Sequence, residues 1–487
     1  ERFDFEHPGE IRLAANDEHL VIAGRDRWIP GHTNVEARHF EFGSNDVDGF
    51  QQEYGTANAV YTFIQDQLDV RWLWPGEEEV PQRETIAVST DLEHRHHPQI
   101  RQRYGMFYHR SLHRHGRPGT AGGDWMRYHR VQLDSLHAHV GGHAFADWWE
   151  RFHETHPEYF AMQPDGTRSG FPKPRYAKLC VSNSAVWDQW LADVEKILEE
   201  NPNRVAFSAA ANDSWASGHC ICENCRAWDH PEGKTRRFVW QGIGQDYVAL
   251  SDRQVTFANT LARNLREKYP EKDYMVTMLS YGLSRPAPVE AVPDDNVIVG
   301  SVHTFFQQHG LADRASPEGV TYREQFKAWA EIAPKMLWRP NIGSRYSVHG
   351  GPMDLQVLAD DFKLIAEAGV IGLHVDTVWY HWATKGPAYY LMSQLAWNPR
   401  ADHEAILQDY YQHGFGPAAE AIAAYWTLAS DKRREIWNND LDWVEGFDDA
   451  FFQRAQTHLD EAAAASDEPR YAHRVAFVAA GLEFLKL

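Results

Sequence analysis

The spacing of apolar and polar positions changes character twice along the chain. Near the start, Ile11 and Leu13, then Leu20, Val21 and Ile22, read as strand over residues 10–24. Residues 58–70 place Ala59, Val60, Phe63, Ile64 and Leu68 on one helical face, with Gly55 and Thr56 where such a helix begins. Val70 to Trp74 then predicts a strand halted by the turn Pro75-Gly76. Residues 1–97 are therefore expected to form a small α/β domain. His94, Arg95, His96, His97 and Pro98 serve as the linker.

From residue 100 the pattern becomes short apolar runs alternating with amphipathic stretches. The runs fall at 101–108, 136–140, 178–182, 205–211, 274–281, 296–302, 336–340 and 370–375. Helical spacing is clear at 183–200, 252–269, 321–333 and 353–368. Strands alternating with helices imply parallel pairing through crossover helices. Eight such units predict an α/β fold of the (β/α)8 TIM barrel type over 98–400, and an open doubly wound sheet has the same local signature. Helical spacing returns at 403–430 and 448–486, which predicts an α-helical C-terminal region over 401–487.

Composition narrows the function. The 487 residues carry 48 Lys+Arg against 69 Asp+Glu, a formal charge of −21, with no basic stripe of the kind a nucleic acid needs. No apolar run approaches the roughly 18 residues of a membrane span, and no signal or lipidation segment is visible from Glu1 onward. Neither nucleic acid nor membrane is thus expected as a partner. The chain is rich in Trp (19), Tyr (20), Phe (24) and His (27). A large core absorbs many aromatics; a surplus suits stacking platforms for sugar rings in a cleft.

Barrel chemistry sits at the C-terminal ends of strands, and those positions are polar and aromatic here. The candidates for substrate binding are Tyr104 after the first run, His139 and His143 after the second, Asn212 and Trp215 after the fourth, and Tyr281 after the fifth. Arg339 and Asn341 follow from the seventh run, and Trp379, Tyr380 and His381 from the eighth. Asp213 and Asp376 are the two carboxylates set directly on predicted strand ends. Two carboxylates flanking a sugar bond are the minimum for glycoside hydrolysis, about 5 Å apart for retention and wider for inversion. Asp213 is equally suited to capping the next helix. His303, after the sixth run, leads the histidines that would move the proton in its place.

The four cysteines are the sharpest cluster: Cys180 on the third run, and Cys220, Cys222 and Cys225 just beyond the fourth. Four thiolates with Cys-x-Cys-x2-Cys spacing are expected to close a structural zinc site. Two disulfides, or one loop disulfide with a buried Cys180, are the alternatives. No organic cofactor is expected.

The run from Gly55 to Ile64, with Val70 to Gly76, resembles the small N-terminal domain of bacterial α-glucuronidases and β-hexosaminidases. His156 to Phe160, Leu179 to Asn183, Asn212-Asp213 and the cysteine motif resemble a bacterial domain-of-unknown-function family of carbohydrate-active (β/α)8-barrel proteins. Tyr389 to Leu391, Gln394 to Pro399 and Phe415 to Ala419 fit its C-terminal part. The resemblance implies a secreted or periplasmic bacterial barrel enzyme acting on a glycan, uronic-acid-containing ones included. It places Asp213 where the allied glycosidases keep the strand-four acid. Those glucuronidases carry further carboxylates late in the barrel, where this chain has His303, Arg339 and Asn341. The leading expectation is an exo-acting glycoside hydrolase, with Asp213 as general acid and Asp376 as base or nucleophile. A polysaccharide lyase, with Arg, His and Tyr performing β-elimination on a uronate, is the alternative; a non-catalytic glycan-binding module is the third reading.

Overall fold

The computed structural model describes residues 4–28, 51–103, 121–131, 143–200, 202, 204–214, 216–303, 310–312, 317–340, 351–375, 381–439, 441 and 443–487. The N-terminal run is a hairpin rather than one strand: β1 (Ile11–Ala15) pairs antiparallel with β2 (Leu20–Gly24). Two short strands, β3 (Asp26–Trp28) and β4 (Gln51–Tyr54), pair with each other and lead into helix α1 (Gly55–Gln67). A Cβ on Gly24 would lie 2.0 Å from the Gly55 carbonyl carbon, so only two glycines allow this close crossing. β5 (Arg71–Trp74) folds back on β6 (Glu77–Glu79), and β7 (Glu93–His96) completes the sheet in the order β2-β1-β7. Ile11, Leu13, Ala59 and Phe63 share one small core with Trp397, which comes from far along the chain.

Helices α2 (Ala121–Tyr128), α3 (Trp148–Phe152) and α4 (Ser184–Glu200) precede β8 (Ala206–Ser208). A short helix α5 (Glu223–Arg226) and the hairpin β9 (Arg236–Trp240) and β10 (Ile243–Tyr247) are inserted before α6 (Ser251–Lys268). Then follow β11 (Met275–Ser280), β12 (Val297–His303), α7 (Pro317–Ile332), β13 (Met336–Pro340), α8 (Leu355–Glu367) and β14 (Gly372–Leu373). These strands form a five-stranded parallel sheet in the order β14-β13-β12-β11-β8. Gln102 adds a parallel bridge to Gly372, which sets the first predicted run beside the last.

Side chains alternate across this sheet, as strand geometry requires. Val276, Met278, Val297, Val299, Met336 and Trp338 join the large core shared with the helices. Residues at the intervening strand positions, Met275, Leu279, Ile298, Val302 and Leu337, form a separate cluster with Ala206 and Ala210. The sheet is thus buried on both faces, which is why its strands read as continuous apolar runs. One predicted strand is placed differently. Residues 178–182 lie outside the parallel sheet, and Leu179 makes a single antiparallel bridge with Phe160. The run is apolar because Leu179, Cys180 and Val181 pack into the main core from a loop.

The C-terminal region is helical, with α9 (Trp382–Trp397), α10 (His403–Phe415), α11 (Ala419–Asn438), α12 (Trp443–Gly446), α13 (Asp449–Ala464) and α14 (Pro469–Leu485). No helix among the described residues is long and apolar enough to cross a membrane. Charged pairs tie this region to the N-terminal strands. Arg474, 2 % exposed, donates to Glu77 and Glu79 at 2.7 and 2.8 Å. Arg71 makes a two-pronged contact with Asp409 at 2.6 and 2.8 Å.

Burial pushes the Asp409 carboxyl up, but hydrogen bonds from His413 and Arg71 outweigh it and hold the group down at about 2. The hydrogen bond to Asp409 raises His413 in turn. A depressed carboxylate contributes stability above its unfolded value, near 3.8 here, and loses it as pH falls through about 2. The raised histidine contributes below about 6.5, and that part is lost as pH rises through its folded value. Asp409→Asn should therefore lower unfolding stability by about 2 kcal/mol at pH 5 in urea titrations. The difference from wild type should shrink between pH 4 and 2.

Candidate functional site

The C-terminal ends of β8 and β11 hold the best-defined polar cluster. Asn212 is 2 % exposed. Its side-chain amide donates to the carbonyls of Phe145 and Ala177, both at 2.8 Å, and accepts from the Phe145 N–H at 3.1 Å. Its backbone carbonyl accepts from the Lys178 ammonium. One buried residue thus joins the segments around 145, 178 and 212, and a buried amide satisfied on both sides holds its register tightly.

Asp213 follows directly. Its Oδ1 accepts from the Ser214 N–H at 2.8 Å and the Tyr281 hydroxyl at 3.1 Å. Both donors meet the same oxygen, Oδ1. Ser214 adopts φ +129°, a region that non-glycine residues avoid and that costs of order 1–3 kcal/mol. Its Oγ accepts from the N–H groups of Ala216 and Ser217 at 3.0 and 3.2 Å, which holds the turn in place. Tyr281 lies two residues beyond Leu279, so strand alternation carries it onto the same inner face. Arg339 stands two residues after Leu337 by the same rule.

His143 and Lys178 complete the group. His143 contacts the Ala211 carbonyl through Nδ1 at 2.7 Å. Burial lowers its pKa; the Asp213 charge opposes that shift and Arg339 adds to it. Lys178, 6 % exposed, is pushed down to about 8 by burial, with Asp213 again opposing. Asp213 therefore sits among His143, Lys178, Tyr281 and Ser214, with Arg339 near enough to act on His143. An adjoining cavity of about 250 Å³ is lined by Lys178, Asn212, Ser214, Ser217, His219 and Tyr281, and closed by the hairpin residues Arg236, Arg237, Phe238 and Val239. The Ser217 hydroxyl is buried there with no hydrogen-bond partner among the described residues.

Of the residues expected from sequence, His143, Asn212, Asp213, Tyr281 and Arg339 come together at this end of the sheet. His381 caps α9 instead and packs against Phe484 of α14, with ring centroids 5.7 Å apart. His303 ends β12, where its Cα partners Pro340. Tyr104, His139, Trp215, Asn341, Asp376, Trp379 and Tyr380 lie outside the described residues. Sequence reasoning missed Lys178 and His219. The only available signal for Lys178 was a lysine opening an apolar run.

The four cysteines converge beside this site. Their sulfurs all lie within 4.8 Å of one another, and all four are free thiols. Cys180 Sγ is 3.7 Å from Cys222 Sγ and 3.8 Å from Cys225 Sγ. A disulfide needs about 2 Å, whereas a tetrahedron of metal–sulfur bonds of about 2.3 Å has edges of about 3.8 Å. The Met162 N–H donates to Cys220 Sγ at 3.3 Å and the Cys225 N–H to Cys222 Sγ at 3.4 Å. Donation from Cys180 and Cys220 holds the Cys225 thiol well down, and the Cys180 contact pushes Cys220 up. One thiol of the cluster thus ionises readily while its neighbours stay protonated, and a bound cation would let all four ionise. The set fits a closed structural metal site.

That site supports the cavity wall. Arg253 pairs with Asp229 and donates to the Cys220 carbonyl at 2.7 Å. The Tyr247 hydroxyl, at the end of β10, donates to the His219 carbonyl at 2.8 Å. The cysteine loop and the hairpin are thus one unit.

These features define a mixed α/β protein with a polar, partly cationic cleft at the C-terminal ends of a parallel sheet and a cysteine-rich centre beside it. The chain belongs to the DUF4838 family, a domain of unknown function, which matches residues 72–427. No curated protein matches the chain.

Protein purified without chelator should contain about one equivalent of divalent metal per chain by elemental analysis, and Cys222→Ser should lose most of it. Fully oxidised cysteines in metal-free protein would contradict the site.

Proposed function

We propose that this protein is an exo-acting glycoside hydrolase for acidic, uronic-acid-containing glycans, with Asp213 as general acid. The observation that carries the reading is the Asp213 carboxyl itself. Asn212 and Tyr281 fix it at the C-terminal end of the sheet, with Oδ1 held by Tyr281 and the Ser214 N–H, between two residues, Asn212 and Ser214, that line the adjoining cavity. A cavity of about 250 Å³ is below the ~300–1,000 Å³ of most small-molecule sites. It suits a single ring at a chain end, which supports exo action. Lys178, Arg236 and Arg237 on its walls favour a carboxylate-bearing ring. The resemblance to α-glucuronidases and β-hexosaminidases supports the same chemistry.

In this reading the parallel sheet is part of a (β/α)8 barrel. The Gln102–Gly372 bridge and the separate inner-face cluster favour closure. Asp376 is the second carboxylate. Strands β8 and β14 stand at opposite ends of the five-strand row, which favours the wide, water-holding spacing of an inverting pair. The metal is zinc, as four thiolates in a closed tetrahedral set prefer. The protein works outside the cytoplasm, in the periplasm or after secretion, with a glycan as its partner.

A lyase is the second reading, favoured by one feature: Tyr281, His143 and Arg339 around Asp213 offer a base and a carboxylate neutraliser for β-elimination. Its products absorb in the ultraviolet, and hydrolysis products do not.

Asp213→Asn keeps the shape and removes the proton. It should slow turnover of an acidic oligosaccharide by about 10²–10⁴-fold with little change in binding. Aryl glycosides with very good leaving groups should be far less affected. Near-full activity on the natural linkage would overturn the role of Asp213.

A further inference from the structure

The cavity beside Asp213 holds a polar group that the fold itself leaves unused. Ser217 is 3 % exposed and lines that cavity, and its hydroxyl has no hydrogen-bond partner among the described residues. Other groups pin the segment that carries it. The Ser217 N–H donates to Ser214 Oγ at 3.2 Å. The Gly218 carbonyl accepts from Gln163 Nε2 at 3.0 Å, and a Cβ on Gly218 would lie 2.4 Å from Gln163 Oε1. The His219 carbonyl accepts from the Tyr247 hydroxyl. The loop is therefore held without help from the Ser217 hydroxyl. A buried hydroxyl without a partner is unfavourable. Its place on a cavity wall points to a partner that enters from outside.

Gln254 of α6 lines the same cavity and is 7 % exposed. Its side-chain amide makes no hydrogen bond among the described residues. Its backbone is fixed: the N–H donates to the Leu250 carbonyl at 2.9 Å, and the Leu250 N–H donates to the Leu283 carbonyl at 3.0 Å. The His219 imidazole is a third polar group on this lining, and it also makes no side-chain hydrogen bond among the described residues.

A hydroxyl, an amide and an uncharged imidazole share one property: each both donates and accepts. A carboxylate only accepts and an ammonium only donates, so neither satisfies such a set. A group that meets donors and acceptors together is another hydroxyl. Much of the rest of the lining is apolar. Leu279 and Leu283 come from the β11 side and Phe238 from β9, where its ring meets Tyr247 edge-on at 5.6 Å. A pyranose ring has the same division, with hydroxyls around its edge and C–H groups on its faces.

We propose that Ser217, Gln254 and His219 form the subsite that reads the hydroxyls of a terminal sugar ring, with Phe238, Leu279 and Leu283 against its C–H faces. The identity of the ligand rests on the glycan-cleaving reading of Asp213. The three polar residues are then specificity determinants: they select a hydroxyl-bearing ring over a small carboxylate.

Monosaccharide binding to the full chain tests the subsite without any cleavage step. The probes for calorimetric titration and thermal unfolding are glucuronate, glucose and acetate at matched ionic strength. Glucuronate should bind saturably and glucose more weakly. Acetate, which has the charge without the hydroxyls, should give no saturable response. Ser217→Ala and Gln254→Leu should each weaken glucuronate about fivefold. Without ligand, each should melt at the same temperature as wild type or higher, because the group removed has no partner to lose. Unchanged glucuronate affinity in both variants overturns the proposal, whatever their melting temperatures. So does wild type that responds to neither sugar, or that binds acetate as tightly as glucuronate. Glucuronate binding by protein that cleaves no glycoside supports the subsite and removes only the hydrolase reading. Cleavage with a KM that neither substitution moves overturns only the subsite.

Discussion

The buried amide of Asn212 is the contact on which the candidate site depends. It joins two carbonyls and one N–H from segments 35 and 67 residues away in sequence, and its own carbonyl receives Lys178. Removing such a group strands several buried partners at once, each worth about 1–3 kcal/mol. The next residue is Asp213, so the position of its carboxyl is set by a clamp one residue upstream. The strained backbone at Ser214 is tolerated because Asn212 on one side and the Ala216 and Ser217 N–H groups on the other fix both ends of the turn.

The cysteine centre extends this support outward. Cys180 lies two residues beyond Lys178, and Cys220 one residue beyond His219, so two residues lining the cavity adjoin two ligands of the centre. Through Arg253 and Tyr247 the same loop holds the β9–β10 hairpin across the cavity. A small cavity offers little apolar surface to stabilise its own walls, and a metal held by the four thiols would supply rigidity there.

Much of the architecture was legible in the sequence because its signals are local. The helical spacing of 183–200, 252–269 and 353–368 matches α4, α6 and α8 within two residues at most boundaries. The apolar runs at 274–281, 296–302 and 336–340 are β11, β12 and β13. The run at 178–182 misleads because burial against helices and a cysteine cluster produces the same apolar string as a central strand. Cysteine spacing announced three of the four thiols, and adjacency of the third and fourth runs suggested the last. What local pattern cannot express is partnership across the fold. Lys178 looks like an ordinary solvated lysine in the chain. Its burial appears only when the Asn212 carbonyl comes into place. Asn212 likewise looked like one polar strand-end residue among many.

The function proposed for the protein is hydrolysis of an acidic glycan at Asp213. It is tested most directly by following the native protein on a uronic-acid-containing oligosaccharide with proton NMR. A saturated uronate should be released as a free reducing sugar, one residue at a time, with the new anomeric signal appearing first in the inverted configuration. Signals of a 4,5-unsaturated uronate would contradict it and establish elimination instead.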